Sequence, residues 1–148
     1  MSLELKINND LKEAMKAREE ARLRTIRSIK AALLIAKTSG ANVELSTDDE
    51  IKLLQKMVKQ RKDSLSIFEQ QGRVELAQVE REEIEIIESY LPKQLGEAEI
   101  EAIVRDAIAA TGASSVKDMG KVMGVASKQV AGRAEGAVIS GIVKRLLA

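Results

Sequence analysis

The chain has no cysteine, no histidine and no tryptophan, and only one proline, one phenylalanine and one tyrosine in 148 residues. Without cysteine there is no disulfide framework, no thiol nucleophile and no thiolate metal site. Without histidine the commonest general base and transition-metal ligand are missing, and no metal or other cofactor is expected. Phe68 and Tyr90 are too few rings to stack successive bases of a single strand. There is no nucleophile elbow, Walker loop or HExxH motif. No apolar run approaches the roughly 18 residues of a membrane span, and no charged-then-apolar leader opens the sequence. No membrane role is expected, and the expected location is the cytoplasm. With Pro92 as the single proline, little interrupts helix formation.

Good helix formers dominate, and no stretch alternates as a strand would. Ser2 is placed to cap a first helix bearing Leu3, Ile7, Leu11 and Met15 on a narrow stripe. A second helix from about Ala17 turns Leu23, Ile26, Ile29, Leu33 and Ala36 to one side. Gly40 can supply its left-handed end. Thr47-Asp48-Asp49-Glu50 reads as a capping box for a third helix, with Ile51, Leu54, Val58, Leu65 and Phe68 inward and Gly72 at its end. Arg61 falls on that apolar stripe and must snorkel or pair. A fourth helix, from about Val74 to Leu91, presents Ala77, Ile84, Ile87 and Leu91, and Pro92 stops it. A fifth runs from Glu97 to about Ala110, capped by Gly96 and Glu99 and closed by Gly112. Ser114 or Ser115 is expected to cap a sixth, bearing Met119, Val122, Met123 and Ala126, and a loop at 132–136 leads to a seventh. The expectation is an all-α chain: an antiparallel helical bundle over 1–91, a hinge at 92–96 and a three-helix domain over 97–148.

Composition shifts along this chain. Six of the nine glycines lie between Gly112 and Ala148, where six Lys/Arg face two acids, a local charge of +4 in a chain whose total is +1. The GxxxG of Gly120 and Gly124 reads as close helix packing, because Lys117, Asp118 and Lys121 exclude a lipid-facing helix. Six glutamates on the fourth helix read as a solvated acidic face, with no histidine to partner them in catalysis. The cations of the second helix (Arg18, Arg22, Arg24, Arg27, Lys30) and third helix (Lys52, Lys56, Lys59, Arg61, Lys62) read as a salt-bridged surface. The C-terminal cations read differently. Lys117 and Lys121 are one turn apart on a helix whose start at Ala113-Ser114-Ser115 offers backbone N–H groups to a phosphate. Lys128 and Arg133 lie in or beside the following loop, where they can reach a nucleic-acid backbone.

MGKVMG (119–124), GRAEG (132–136) and VISGIVKRLL (138–147) resemble the C-terminal signature of the GatB/YqeY family. LKEAMKAR (11–18), VKQRKDS (58–64) and SYLPKQL (89–95) are similar to its stand-alone YqeY-like members. The chain departs from the family pattern in having Ala126-Ser127-Lys128 where proline precedes the GRA stretch, and Glu135 where aspartate precedes the last helix. The resemblance implies a C-terminal domain similar to the tail of the tRNA-dependent amidotransferase B subunit, which helps hold tRNA. It thereby implies RNA binding through Lys117, Lys121, Lys128 and Arg133, with Gly120, Gly124, Gly132 and Gly136 as structural glycines.

Three functions are consistent with these readings. The first is an accessory protein that binds tRNA or another structured RNA, partnered by an amidotransferase or aminoacyl-tRNA synthetase, without chemistry of its own. The second is a helical protein–protein adaptor using the acidic fourth helix. The third, by family association, is a carbon–nitrogen ligase with glutamine as amido-N-donor. It lacks a recognisable amidase nucleophile: there is no cysteine, and no serine in a Gly-rich strand-turn setting with a partner base.

Overall fold

The computed structural model describes residues 2–39 and 44–148, and among them every regular element is helical. The helices are α1 (Leu3–Ala17), α2 (Glu20–Thr38), α3 (Thr47–Gln70), α4 (Val74–Glu88), α5 (Glu97–Thr111), α6 (Met119–Val130) and α7 (Gly136–Leu147). A single 3-10 turn, Val116–Asp118, precedes α6. The chain divides into two compact units, Met1–Leu91 and Pro92–Ala148.

In the first unit α1 packs on α2, α3 on α4, and α4 reaches across to α2. Both hairpins are antiparallel. Glu4 near the start of α1 pairs with Lys37 near the end of α2, and Glu69–Arg81 lies nearer the α3–α4 turn than Lys62–Glu88. The core gathers Ile7, Ala14, Ile26, Ile29, Leu33, Leu54, Met57, Val58, Ile84 and Ile87. Met15, expected inward, is 54% exposed, because Ala14 occupies the buried position beside it. Ser2 caps α1, accepting from Leu5 N–H at 3.2 Å. The cap of α3 is Ser46 rather than Thr47. Its hydroxyl accepts from Asp49 N–H at 3.1 Å, and Asp49 accepts from Ser46 N–H at 3.2 Å. Both residues have an acid three positions on, and Ser46 caps because its backbone is still extended while Thr47 is already in the helix. These bonds hold the Asp49 carboxyl below its usual range. The expected role of Gly40 lies outside the described residues.

Arg61 resolves its place on the apolar stripe by pairing. It donates to Glu83 at 3.3 Å, to the Met57 carbonyl at 3.2 Å and to Ser28 Oγ at 2.9 Å. Glu83 also accepts from Arg24 at 3.2 Å, tying α2, α3 and α4 at one carboxylate. One turn earlier, Glu80 Oε2 is buried without a hydrogen-bond partner among the described residues. Burial, then the charge of Glu83, holds the Glu80 carboxyl above its usual range.

The second unit is a three-helix arrangement in which α5, α6 and α7 each contact the other two. Its core holds Ile100, Val104, Ala107, Val122, Ala126, Val130, Ile139, Ile142, Val143 and Leu147. Gly96 N–H donates to Glu99 at 3.3 Å at the start of α5, and Gly112, at φ +67°, ends it in the left-handed region that glycine favours. Leu95 N–H donates to the Arg133 carbonyl at 2.7 Å and Gln94 donates to the Gly132 carbonyl at 3.4 Å. These residues of the expected hinge are therefore bonded to the second unit.

Tyr90 follows α4 and donates to Asp10 at 2.5 Å, with Lys6 Nζ 5.2 Å from its ring centre. Burial first, and the bond to Asp10 second, push the phenol well above its ordinary value. A folded state that holds the proton more tightly gains stability fully below the ordinary tyrosine range of about 10 and loses it as pH rises beyond. Tyr90→Phe is expected to cost about 1 kcal/mol near neutrality and to remove this alkaline loss. Denaturant titrations of both proteins near neutrality and above about pH 10 check it. Equal alkaline losses in both would contradict it.

Candidate nucleic-acid interface

How α6 starts decides which groups of the second unit are free. The cap expected at Ser114 or Ser115 is not used for α6. Ser115 heads the 3-10 turn, and α6 opens at Met119 with Asp118 as its N-cap residue. Asp118 reaches back to accept from Ser114 N–H at 3.1 Å, and Ala113 N–H donates to the Ile108 carbonyl at 3.2 Å. Two of the three amides expected to meet a phosphate are thus occupied, and the aspartate beside them disfavours an anion. The side chains, not a backbone cradle, carry whatever anion affinity this surface has.

Lys117 sits on the 3-10 turn, and Lys121 and Lys128 on α6. All three are exposed. The expectation that Lys128 lies in or beside a loop is corrected to the last turn of the helix, since α6 runs unbroken through 126–128 to Val130. At about 100° per residue, Lys121, Gly124 and Lys128 fall within roughly 60° of one another, and the two ammonium-bearing positions are about 10 Å apart along the axis. Val122, Ala126 and Val130 occupy the opposite, buried side. Among the described residues none of the three lysines forms an ion pair.

The glycine expectation is overturned. Gly120 and Gly124 are exposed, and a methyl group at either would meet no atom within 4 Å. The valines and Ala126 turn the neighbouring helices to the other side of α6, so the GxxxG faces outward. Gly136 is likewise exposed at the start of α7, with open space where a side chain would go. Of the four glycines expected to be structural, only Gly132 has a backbone requirement, at φ +79°. It follows Ala131, which is itself left-handed at φ +50°.

Arg133 is held by this turn. Its Nε donates to the Val130 carbonyl at 2.9 Å and its terminal nitrogen to the Gln129 carbonyl at 2.8 Å. It satisfies carbonyls that the end of α6 leaves open. The sequence signal for this was the arginine directly after a glycine at a helix end. The C-terminal charge is thinned elsewhere too. Arg145 pairs with Glu101 at 3.1 Å, and Glu101 also accepts from Arg105 at 2.7 Å. The bond from Arg105, then that from Arg145, holds the Glu101 carboxyl below its usual range. In the first unit Arg22, Arg24, Arg61 and Lys62 are paired, as a salt-bridged surface requires, whereas among the described residues Arg18, Arg27, Lys30, Lys52, Lys56 and Lys59 form no ion pair.

Together these features define an all-helical protein of two units, the second bearing a cationic helix face. The chain belongs to the family of YqeY-like proteins, whose model matches residues 4–147. It is similar to proteins named altered inheritance of mitochondria protein 41, mitochondrial. That of Pyrenophora tritici-repentis is 28% identical over 132 residues, covering 87% of this chain and 71% of the relative. Those of Clavispora lusitaniae and Meyerozyma guilliermondii are 43% and 41% identical over 83 and 88 residues, 55% and 57% of this chain. The matched region spans 47% and 44% of those two relatives. No helix among the described residues is long and apolar enough to cross a membrane.

Two outcomes follow from the geometry. Gly124→Ala is expected to stabilise the second unit by up to about 1 kcal/mol, since the methyl meets nothing and helix propensity rises. A lower melting temperature would restore the close-packing account. Arg133→Ala is expected to destabilise the same unit by about 1–2 kcal/mol while leaving the salt dependence of any RNA binding unchanged. A flatter salt slope at undiminished stability would instead make Arg133 a phosphate contact.

Proposed function

We propose that this protein binds tRNA or another structured RNA as an accessory to tRNA-dependent amidation or aminoacylation, without autonomous chemistry. The observation that carries this is the outward face of α6 and the 3-10 turn before it, where Lys121 and Lys128, and Lys117, are exposed and free of ion pairs among the described residues. Lysines left free in this way bind a phosphate backbone by releasing its counterions. The second unit contains no aromatic ring, so recognition works by shape and phosphate contact rather than base stacking. Arg133 maintains the turn beside this face. The protein acts where translation proceeds, in the cytoplasm or, like the named relatives, in mitochondria.

A filter-binding titration of tRNA over a range of salt tests this. Changing Lys117, Lys121 and Lys128 together to Gln is expected to weaken binding and flatten the log–log salt slope by about two to three units, with melting unchanged. No binding by the wild-type protein at low salt would sink the proposal.

One observation favours the adaptor as a second reading. A groove of about 420 Å³ between the start of α2 and α4 is lined by Ala21, Ile86 and Arg22 and by four glutamates, Glu19, Glu20, Glu82 and Glu85. A stoichiometric complex with a basic protein, stable to nuclease and free of RNA, would favour it.

A further inference from the structure

The cations of the first unit are sorted by the fourth helix. Between Glu50 and Asp63, α3 carries five cations and no acid. The glutamates of α4 neutralise those that face it: Arg61 pairs with Glu83, and Lys62 with Glu88. Lys52, Lys56 and Lys59 remain. They fall within about 60° of one another on α3 and span about 10 Å of its length. All three are exposed, and none forms an ion pair among the described residues. Leu54, Met57 and Val58 fill the core side of the same turns. Asp48 and Asp49 lie about one turn before Lys52, whose charge Asp49 feels, and Asp63 about one turn beyond Lys59, so the acids flank the ends of the stripe and none lies within it. Exposed Gln60, next to Lys59, adds a neutral hydrogen-bonding group.

We propose that this outer face of α3 is a second RNA-backbone contact surface, on the first unit, acting on the same RNA that α6 holds. The inference rests on the RNA-binding reading above and adds a site to it. The free cations on each helix are alike in number and spread: three on α3 over about 10 Å, and three on the 3-10 turn and α6, of which Lys121 and Lys128 are again about 10 Å apart. A surface salt-bridge network would have closed these lysines into ion pairs, as it did Lys37 with Glu4 and Arg81 with Glu69. Here the third helix supplies no acid between Lys52 and Lys59, and Glu82, Glu83 and Glu88 of α4 are paired with Arg24, Arg61 and Lys62. Two contact surfaces on one covalently continuous chain raise the effective concentration of the second once the first is bound. The predicted signature is a salt dependence steeper than three phosphate contacts give.

The experiment uses the full chain and an unmodified tRNA transcript, with affinity measured over a salt series for four proteins. These are the wild type, K52Q/K56Q/K59Q, K117Q/K121Q/K128Q and the sextuple variant, each checked for unchanged helicity and melting. The α3 triple is expected to flatten the wild-type slope by about two to three units, and the sextuple by about the sum of the two triples. The charge reversal K52E/K56E/K59E is expected to weaken binding further than the Gln variant. Wild-type affinity and slope in both α3 variants, with loss in the α6 triple, would overturn this inference and leave the RNA reading standing. Loss in the α3 triple alone would support it and refute the α6 site. A wild type that binds no transcript at low salt would overturn both.

Discussion

Glu83 is the carboxylate on which the first unit's arrangement depends. It is 12% exposed and accepts from two guanidiniums, Arg24 on α2 and Arg61 on α3, whose own exposures are 46% and 15%. A charge so far out of water is tolerated only when it is bonded from more than one side. That requirement fixes the relative register of three helices at one point. Replacing one partner would leave the others uncompensated, which is far costlier than losing an exposed pair. The neighbouring Glu80, whose buried Oε2 has no such partner among the described residues, shows the alternative: its carboxyl is pushed toward the neutral form.

The second unit repeats this pattern at its surface. Glu101 is shared by Arg105 and Arg145, and Arg133 turns inward onto the end of α6. In both units arginines take most of the fixed acceptors, because a planar fork of donors can satisfy two at once. Lysines are left on the outward faces of α3 and α6. Net charge alone would not have revealed this, since the chain totals only +1. Which cations stay unpaired at the surface follows from which are consumed internally.

Periodicity made the all-helical architecture legible, and the buried faces of α2 and α4 follow it closely. Arg61 on an apolar stripe announced a partner, though not that the partner would be Glu83, because α4 approaches α3 through tertiary packing that no local pattern encodes. Helix starts were less legible. Ser46 against Thr47, and Asp118 against Ser114 or Ser115, are choices between adjacent cap formers. They are decided by which side chain can reach an open amide once the preceding turn is built. The error at 113–115 mattered most. It suggested a backbone phosphate cradle, whereas the amides are taken by Asp118 and by the end of α5. The lysines were legible as candidates, but their freedom from ion pairs was not, since that depends on where every acid of the fold is placed.

The glycines separate two physical demands that look alike in sequence. Gly72, Gly112 and Gly132 have φ near +70° to +80°, where other residues are strained. Gly120, Gly124 and Gly141 sit inside helices, with no left-handed backbone and nothing within 4 Å of a would-be side chain. Each of these lowers helix stability by roughly 1 kcal/mol relative to Ala, without a packing contact in return. Gly124 lies within the lysine-bearing face of α6, where it leaves the helix backbone low between long side chains. In the proposed RNA-binding role, a phosphate backbone would lie closer to the helix axis, where the lysine charges would act over a shorter distance. In that role charge would supply the attraction, and missing side chains would set how near it can be used. The rigid core behind, built from Val122, Ala126 and Val130, holds both in one orientation.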